Sequence, residues 1–368
     1  MSAYCLVDVS GNRYEIGWRL GKLYAERGLP WFRPPCRLDE FTPEQIDFAR
    51  RHIPWVKAYI PGLLLEIQGL ADALEVPFDT ALVAVLTSGM TPKPWAGAGI
   101  GCTVLAVRNE EGEVLMGRNL DFRPAQGQGM LYLARFTRPT DGYATFGGTC
   151  SLLSYTEGIN EHGLAIAMAI VPVMDYGEDL LPRYPPDDGV LFSVAIRAAL
   201  ETCRSTSEAV AFLLGIPHLE AFNYVVADLR GEMAVVEASP WGCAVRYPKS
   251  KPPMVVATNY FAGKLSSLHD KQPQSMQAAN QWLVLRQEWL ERAPSVVSFG
   301  GARLDIRALK RLMQLVALDP NAKFGTTTIW SECFNLTTGE IWWCGGNPLH
   351  REYAYLGTIA QPKVEPLS

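Results

Sequence analysis

The sequence predicts an α+β fold of layered antiparallel strands and segregated helices, preceded by a mainly helical N-terminal segment. Three observations predict it. Residues 1–101 carry helix starts and helical apolar spacing, whereas short alternating strands begin at Cys102. From there the order is strands, a helix pair, strands, a second helix pair and strands, which suits layers better than a doubly wound parallel sheet. No G-x-G-x-x-G follows a strand and no G-x-x-x-x-G-K-[ST] occurs, so neither dinucleotide nor nucleotide-phosphate binding is supported.

The elements follow in order. Thr42 is a helix cap, Pro43 suits the first turn, and Gln45 closes a capping box, with Ile46, Ala49 and Ile53 on one face. Pro54 and Pro61 are expected to break this run. A second helix covers about Leu63–Leu74. Thr91–Gly101 (TPKPWAGAGIG) reads as a loop. Cys102–Arg108 is a strand, NEEGE a turn, and Val114–Leu120 the returning strand. MLYLARF, YATFGG and Gly163–Val171 continue the strand pattern. Helices are expected over about Val190–Cys203 and from the capping box at Ser205–Glu208 to Gly215. A hairpin turns about Arg230-Gly231, and MVVATNYF is another strand. Helices over about Ser275–Arg292 and Ile306–Leu318 precede a last hairpin, TTTIWSECFNLTTGEIWWCG.

Composition narrows the function classes. The 368 residues are 48 % hydrophobic, enough for a sizeable core. The net charge is −5 with no basic stripe, against nucleic-acid binding. No signal-like start and no stretch of about 18 apolar residues occurs, so a cytoplasmic protein without membrane spans is expected. Only Gln361–Ser368 reads as a disordered tail. The eight cysteines form no C-x-x-C pair and have no histidine at ligand spacing, so no metal site is expected and most should be buried thiols.

Cys102 is the exception, because it lies where a Gly/Ala-rich loop meets a strand. A thiol attacks the carbonyl before its own residue only if that carbonyl comes close, and Gly101 has no Cβ to obstruct it. Hydrolysis of the resulting thioester would leave Cys102 with a free α-amine of reference pKa about 7.7–8.0, able to act as general base to its own thiol. The site would then need no histidine, and the five present (52, 162, 218, 269 and 350) offer no Cys–His signature. The hairpin should return Arg118 and Asp121 beside Cys102. There Arg118 would favour the thiolate and Asp121 would orient the amine, unless the two form an ordinary ion pair.

Six motifs in order, SGNRYEIGWRLGKLY, GCTVLAV, GRNLDF, GINEHGLAIA, VATNYF and NLTTGEIW, make the chain similar to the N-terminal-nucleophile hydrolases of the choloylglycine hydrolase and penicillin V acylase group. It looks closest to the acyl-coenzyme A:isopenicillin N acyltransferase-like branch. The resemblance implies a four-layer αββα sandwich and cleavage at Gly101–Cys102. Residues 1–101 would become a small subunit or propeptide, and 102–368 the catalytic domain. It implies Cys102 as nucleophile, Arg118 and Asp121 in support, Asn259 as side-chain oxyanion donor and the Ile170 backbone N–H as the second donor. The further active-site arginine of the hydrolases has no counterpart in DKQPQSMQAANQW, and Arg286, on shifted spacing, is left unassigned.

The implied activity is hydrolysis or transfer of an N-acyl group of a linear amide through a Cys102 thioester, without metal or bound cofactor. The expected partners are a small N-acyl substrate, acyl-coenzyme A as a candidate donor, the retained 1–101 fragment, and a second copy in a homo-oligomer. Two other readings stay open: an uncut cysteine hydrolase with a distant histidine base, and an inactive relative that binds small molecules. Asn160, Glu161 and His162 are expected to form a turn, Trp330, Trp342 and Trp343 core or an acyl pocket, and Val173–Asp188 a surface or active-site loop.

Overall fold

The computed structural model describes residues 3–27, 39, 41–87, 101–122, 131–149, 152–173, 175–176, 182–183, 188–270, 284–292, 303–319 and 326–367. The N-terminal segment opens with a strand, β1 (Ala3–Gly11), followed by α1 (Arg13–Arg27), α2 (Pro43–Tyr59), α3 (Gly62–Leu74) and α4 (Phe78–Thr87). The capping box at α2 forms as expected: Gln45 N–H donates to Thr42 Oγ1 at 3.3 Å, and Thr42 N–H to Gln45 Oε1 at 3.0 Å. Pro61 separates α2 from α3, but Pro54 lies inside α2. It sits on the exposed face of the helix, so the carbonyl that its missing N–H leaves without a partner is on the solvent side.

The second part contributes β2 (Gly101–Arg108), β3 (Val114–Phe122), β4 (Leu131–Pro139), β5 (Thr145–Thr149), β6 (Glu157–Asn160), β7 (Leu164–Ile170) and a short pair, β8 (Asp175–Tyr176) with β9 (Pro182–Arg183). Then come α5 (Phe192–Thr202), α6 (Thr206–Gly215), β10 (Phe222–Asp228), β11 (Met233–Ser239), β12 (Gly242–Arg246) and β13 (Met254–Ala257). Helical residues 284–292 (α7), α8 (Ile306–Leu315), β14 (Thr327–Asn335), β15 (Glu340–Cys344) and β16 (Ala354–Gly357) complete the chain. The second capping box forms only in part. Ser205 Oγ accepts from Glu208 N–H at 3.2 Å, but Glu208 reaches back to Arg204 N–H at 2.7 Å instead of Ser205.

The strands form an eight-stranded sheet, β1-β4-β5-β6-β7-β10-β11-β12, and a six-stranded sheet, β13-β2-β3-β14-β15-β16. They face each other through β2 against β7 and β10, and through β13 against β10 and β11. Helices α1–α6 cover the far side of the larger sheet, and α8 packs on β3 and β14 of the smaller. The result is the four-layer αββα order. One apolar cluster fills the inter-sheet space and the helix layer beyond, and a second, with Leu105, Leu115, Leu309 and Met313, lies between the smaller sheet and α8.

Two parts differ from the sequence expectation because their partners are remote. β1 pairs in parallel with β4 over its full length, and the segment 361–367, expected as a loose tail, is pinned to β1 by the Leu367 N–H to Asp8 carbonyl bond of 2.6 Å. The expected loop at 91–100, helix residues 275–283 and most of 173–188 lie outside the described residues. Among the described residues, no helix is long and apolar enough to cross a membrane.

Candidate active site

The β2–β3 hairpin sets the site. Its register pairs Gly101 with Asp121, Cys102 with Leu120, and Val104 with Arg118. Because side chains alternate along a strand, Cys102 and Arg118 face the larger sheet, whereas Asn119 and Asp121 face the helix layer. Asn119 Nδ2 accordingly donates to the Met313 carbonyl of α8 at 2.8 Å. The sequence-derived pair thus arrives beside Cys102 but on opposite faces, and no ion pair joins Arg118 to Asp121.

On the inter-sheet face Cys102 is fully buried. Arg118 Nη2 donates to its sulfur at 3.5 Å, and the Ile170 backbone N–H at the end of β7 lies near enough to favour the thiolate. Burial pushes the thiol above its ordinary pKa. Arg118 opposes that, Asp121 and Glu157 add to it, and the Ile170 N–H again opposes it. Arg118 is held in turn by an ion pair of Nη1 with Glu157 Oε2 and by a long 3.4 Å bond from Nε to the Met168 carbonyl. Glu157 Oε1 accepts from Trp330 Nε1 at 3.1 Å. Glu332 stands opposite Arg118 across β3 and β14, also fully buried.

Asn259 enters from the turn after β13. Its Oδ1 accepts from the Cys102 backbone N–H at 2.8 Å, and its Nδ2 donates to the Ile170 carbonyl at 2.8 Å. One group is an obligate donor and the other an obligate acceptor, so the orientation of this amide is fixed by its partners. Asn223 Nδ2 clamps the turn on both sides of Asn259, donating to the Thr258 and Tyr260 carbonyls at 2.9 Å each. Just beyond, buried Glu237 Oε1 accepts two backbone N–H groups, of Ala262 at 2.9 Å and Gly263 at 2.6 Å.

On the helix face Asp121 is also fully buried. Its Oδ2 accepts from Arg286 Nη1 at 2.9 Å, and its Oδ1 from Thr328 Oγ1 at 2.6 Å. Arg286 Nη2 donates to the Val316 carbonyl at 2.6 Å. A Cβ at Gly101 would lie 3.0 Å from Asp121 Oδ2 and 3.1 Å from its Cβ, so the carboxylate lies close against the residue just before Cys102 and a side chain there would be crowded.

The structure therefore brings Cys102, Arg118, Asn259 and Ile170 together, and sets Asp121 behind Gly101. It adds Glu157, Glu332, Asn223, Thr328 and Arg286. A signal for Glu332 was present: Trp330, Glu332 and Phe334 share one strand face, and a carboxylate between two aromatics breaks its apolar pattern. Arg286 is delivered by α7, which no motif spacing announces.

Asn160 makes the expected turn, its Oδ1 accepting from His162 and Leu164 N–H at 3.0 and 3.1 Å. Of the tryptophans, Trp330 reaches the site, whereas Trp342 packs under Lys310, 3.6 Å from ring to ammonium. His52, His218 and His269 are buried and bonded to backbone groups, and among the described residues no histidine is bonded to Cys102. Nor does any group of three or more His, Cys, Asp or Glu among the described residues suit a metal ion.

The family model described as acyl-coenzyme A:6-aminopenicillanic acid acyl-transferase matches residues 107–292. No curated protein matches the sequence. Similar solved structures include a mutant conjugated bile acid hydrolase from Clostridium perfringens, at 17 % identity and TM-score 0.45, covering 72 % of this chain and 94 % of that one. An N-acylethanolamine-hydrolyzing acid amidase ortholog from Caenorhabditis elegans is 16 % identical at TM-score 0.46, covering 64 % and 93 %. Penicillin V acylase from Agrobacterium tumefaciens is 15 % identical at TM-score 0.46, covering 70 % and 86 %. With the family match spanning half of its length, across β3, Arg118, Asp121 and Asn259, the chain belongs to the acyl-coenzyme A:6-aminopenicillanic acid acyl-transferase family.

Proposed function

We propose that the protein is a self-processing cysteine amidohydrolase or acyltransferase that acts on linear N-acyl amides through a Cys102 thioester. The observation that carries this reading is the setting of the Gly101–Cys102 peptide. Its N–H is held by Asn259, Asp121 lies close against its glycine, and the adjoining thiol meets Arg118 and the Ile170 N–H.

In self-processing, the Cys102 sulfur attacks the Gly101 carbonyl carbon and the thiol proton passes to the departing nitrogen. The C–N bond breaks, leaving a thioester and a free α-amine. Water then hydrolyses the thioester, so that residues 1–101 end in a free carboxyl group and are no longer covalently joined to Cys102. In turnover the amine takes the thiol proton, the thiolate attacks the substrate amide, and the amine returns the proton to the leaving nitrogen. Water or an acceptor amine removes the acyl group from sulfur. The oxyanion would take the Ile170 N–H and Asn259 Nδ2, once the latter turns from the Ile170 carbonyl.

The 1–101 fragment is proposed to stay bound. β1 is an edge strand of the larger sheet, and Arg13 and Glu66 share a buried ion cluster with Arg197 and Glu201 across the cut.

Intact mass of freshly purified protein beside Cys102→Ala tests the reading. Pieces of 101 and 267 residues in the first and one full chain in the second are expected. An uncut wild type after prolonged incubation would overturn self-processing and favour the inactive binding relative. A screen of N-acyl amides, with and without acceptor amines, then separates hydrolysis from transfer.

A further inference from the structure

The chemistry of Cys102 leaves one buried group unused. Glu332 is fully buried, and neither carboxyl oxygen has a hydrogen-bond partner. It shares its pocket with Glu157: a Cβ on Gly148 would collide with Oε1 of both residues, so the two carboxyls converge on that glycine. Among the described residues, the charged groups facing Glu332 are Arg118 from β3 and Glu157 from β6, with the Cys102 thiol of β2 on the far side of Arg118. Cys333, Tyr353 and Lys310 lie with the second apolar cluster, on the other face of β14.

One guanidinium therefore faces three acids: two carboxyls and a thiol. Burying one matched pair is tolerable, but a second, uncompensated carboxylate a few ångströms from the first is not, because like charges at low dielectric cannot both stay ionised. Glu157 holds both the Arg118 ion pair and the Trp330 N–H hydrogen bond, so the proton falls to Glu332.

We infer that Glu332 is a protonated carboxylic acid beside an ionised Glu157, and that its neutrality keeps a second negative charge away from Arg118 and the Cys102 sulfur. Burial raises both carboxyls, with Glu157 raising Glu332 further and Arg118 opposing each. With the proton in place, the carboxyl pair carries one negative charge and Arg118 cancels it before the thiol ionises. Without it, the thiolate would form beside two negative charges and one positive. Glu332 is thus a positioning residue, acting on sulfur through Arg118. The inference rests on Cys102 as the reacting group, but its test needs no acyl turnover.

The test combines infrared spectra with the pH dependence of Cys102 alkylation by a small reagent, on wild type and Glu332→Gln. Wild type labelled with isotope-enriched glutamate should show a protonated-carboxyl stretch at neutral pH that shifts with the label and disappears in Glu332→Gln. That variant keeps the neutral shape but cannot lose the proton. As a neutral isostere it should leave the rate and midpoint of Cys102 alkylation at their wild-type values, whereas removal of an ionised carboxylate beside Arg118 would speed alkylation about tenfold. The labelled band is the signature that a merely structural side chain would not give. No labelled protonated-carboxyl band in wild type, a band that survives in Glu332→Gln, or alkylation about tenfold faster in that variant would each overturn the inference. Should Glu332→Gln fail to fold, the labelled wild-type spectrum decides alone, its band supporting the inference and its absence overturning it. Absence of acyl turnover alongside these signatures would instead count against the proposed function.

Discussion

Two buried charge clusters in this molecule use the same residue types and differ in balance. In the helix layer, Arg13 and Arg197 meet Glu66 and Glu201, two cations to two anions, with Asp141 bonded to Arg13 at the surface. Between the sheets, Arg118 is the one cation among the described residues that meets Glu157 and Glu332, beside a thiol. The balanced cluster joins elements: α1 and α3 to α5, and residues before Gly101 to residues after it. The unbalanced one has an acid too many, and such an excess makes proton occupancy sensitive to what the neighbouring sulfur does. Charge balance, more than burial, separates a structural network from one that bears on chemistry.

The largest effect should come from the unbalanced side. Cys102→Ala should abolish thioester formation and lower acyl turnover by at least about three orders of magnitude, measured as steady-state kcat, without unfolding the chain. Asn259→Ala should lower kcat by ~10²–10³-fold while circular dichroism stays unchanged, because an oxyanion donor is lost. A variant as active as wild type would remove Asn259 from the proposed chemistry.

The balanced cluster should respond in stability. Arg197→Met leaves Glu66 and Glu201 short of a counter-charge and should cost about 3–5 kcal/mol in denaturant unfolding. The 1–101 fragment should also be released more readily on size exclusion. Equal loss of activity per folded molecule would break the division between the two clusters.

The pH response has two sides. Burial pushes Tyr4 and Cys344 each up to about 12 and also raises the Cys102 thiol. The unfolded chain gives up these protons first, so stability should fall as pH rises past about 8.5 for the thiols and about 10 for the phenol. His52 and His218 are lowered by burial, so their contribution holds above about 6.5 and fades as pH drops below it. Unfolding free energy against pH checks both limbs. The smallest effect is expected at Gly101→Ala, where the added Cβ at 3.0 Å from Asp121 should slow self-cleavage severalfold, followed by mass spectrometry over time.

Much of this was legible in the sequence, for local reasons. Strand alternation and the turns at NEEGE and Arg230-Gly231 define β2–β3 and β10–β11, because a hairpin's partner is its neighbour. Hairpin spacing likewise put Arg118 and Asp121 at the Cys102 end. The period of two could even have assigned them to opposite faces, since 118 and 121 differ by an odd number. The strand at Ala3–Gly11 was not legible in this way, for its partner β4 lies more than a hundred residues on.

By itself, the sequence determined the layered α+β class, the order of its elements, the Gly101–Cys102 junction and the residue types around it. Those follow from propensity, periodicity and short-range turns. Only the tertiary structure decided that Asn259 grips the Cys102 N–H, that Arg286 and Thr328 hold Asp121, and that Glu157 and Glu332 share one guanidinium. Each of those contacts joins separate strands or layers. Hydrogen bonds and charge interactions at that range depend on packing distances that no sequence interval encodes.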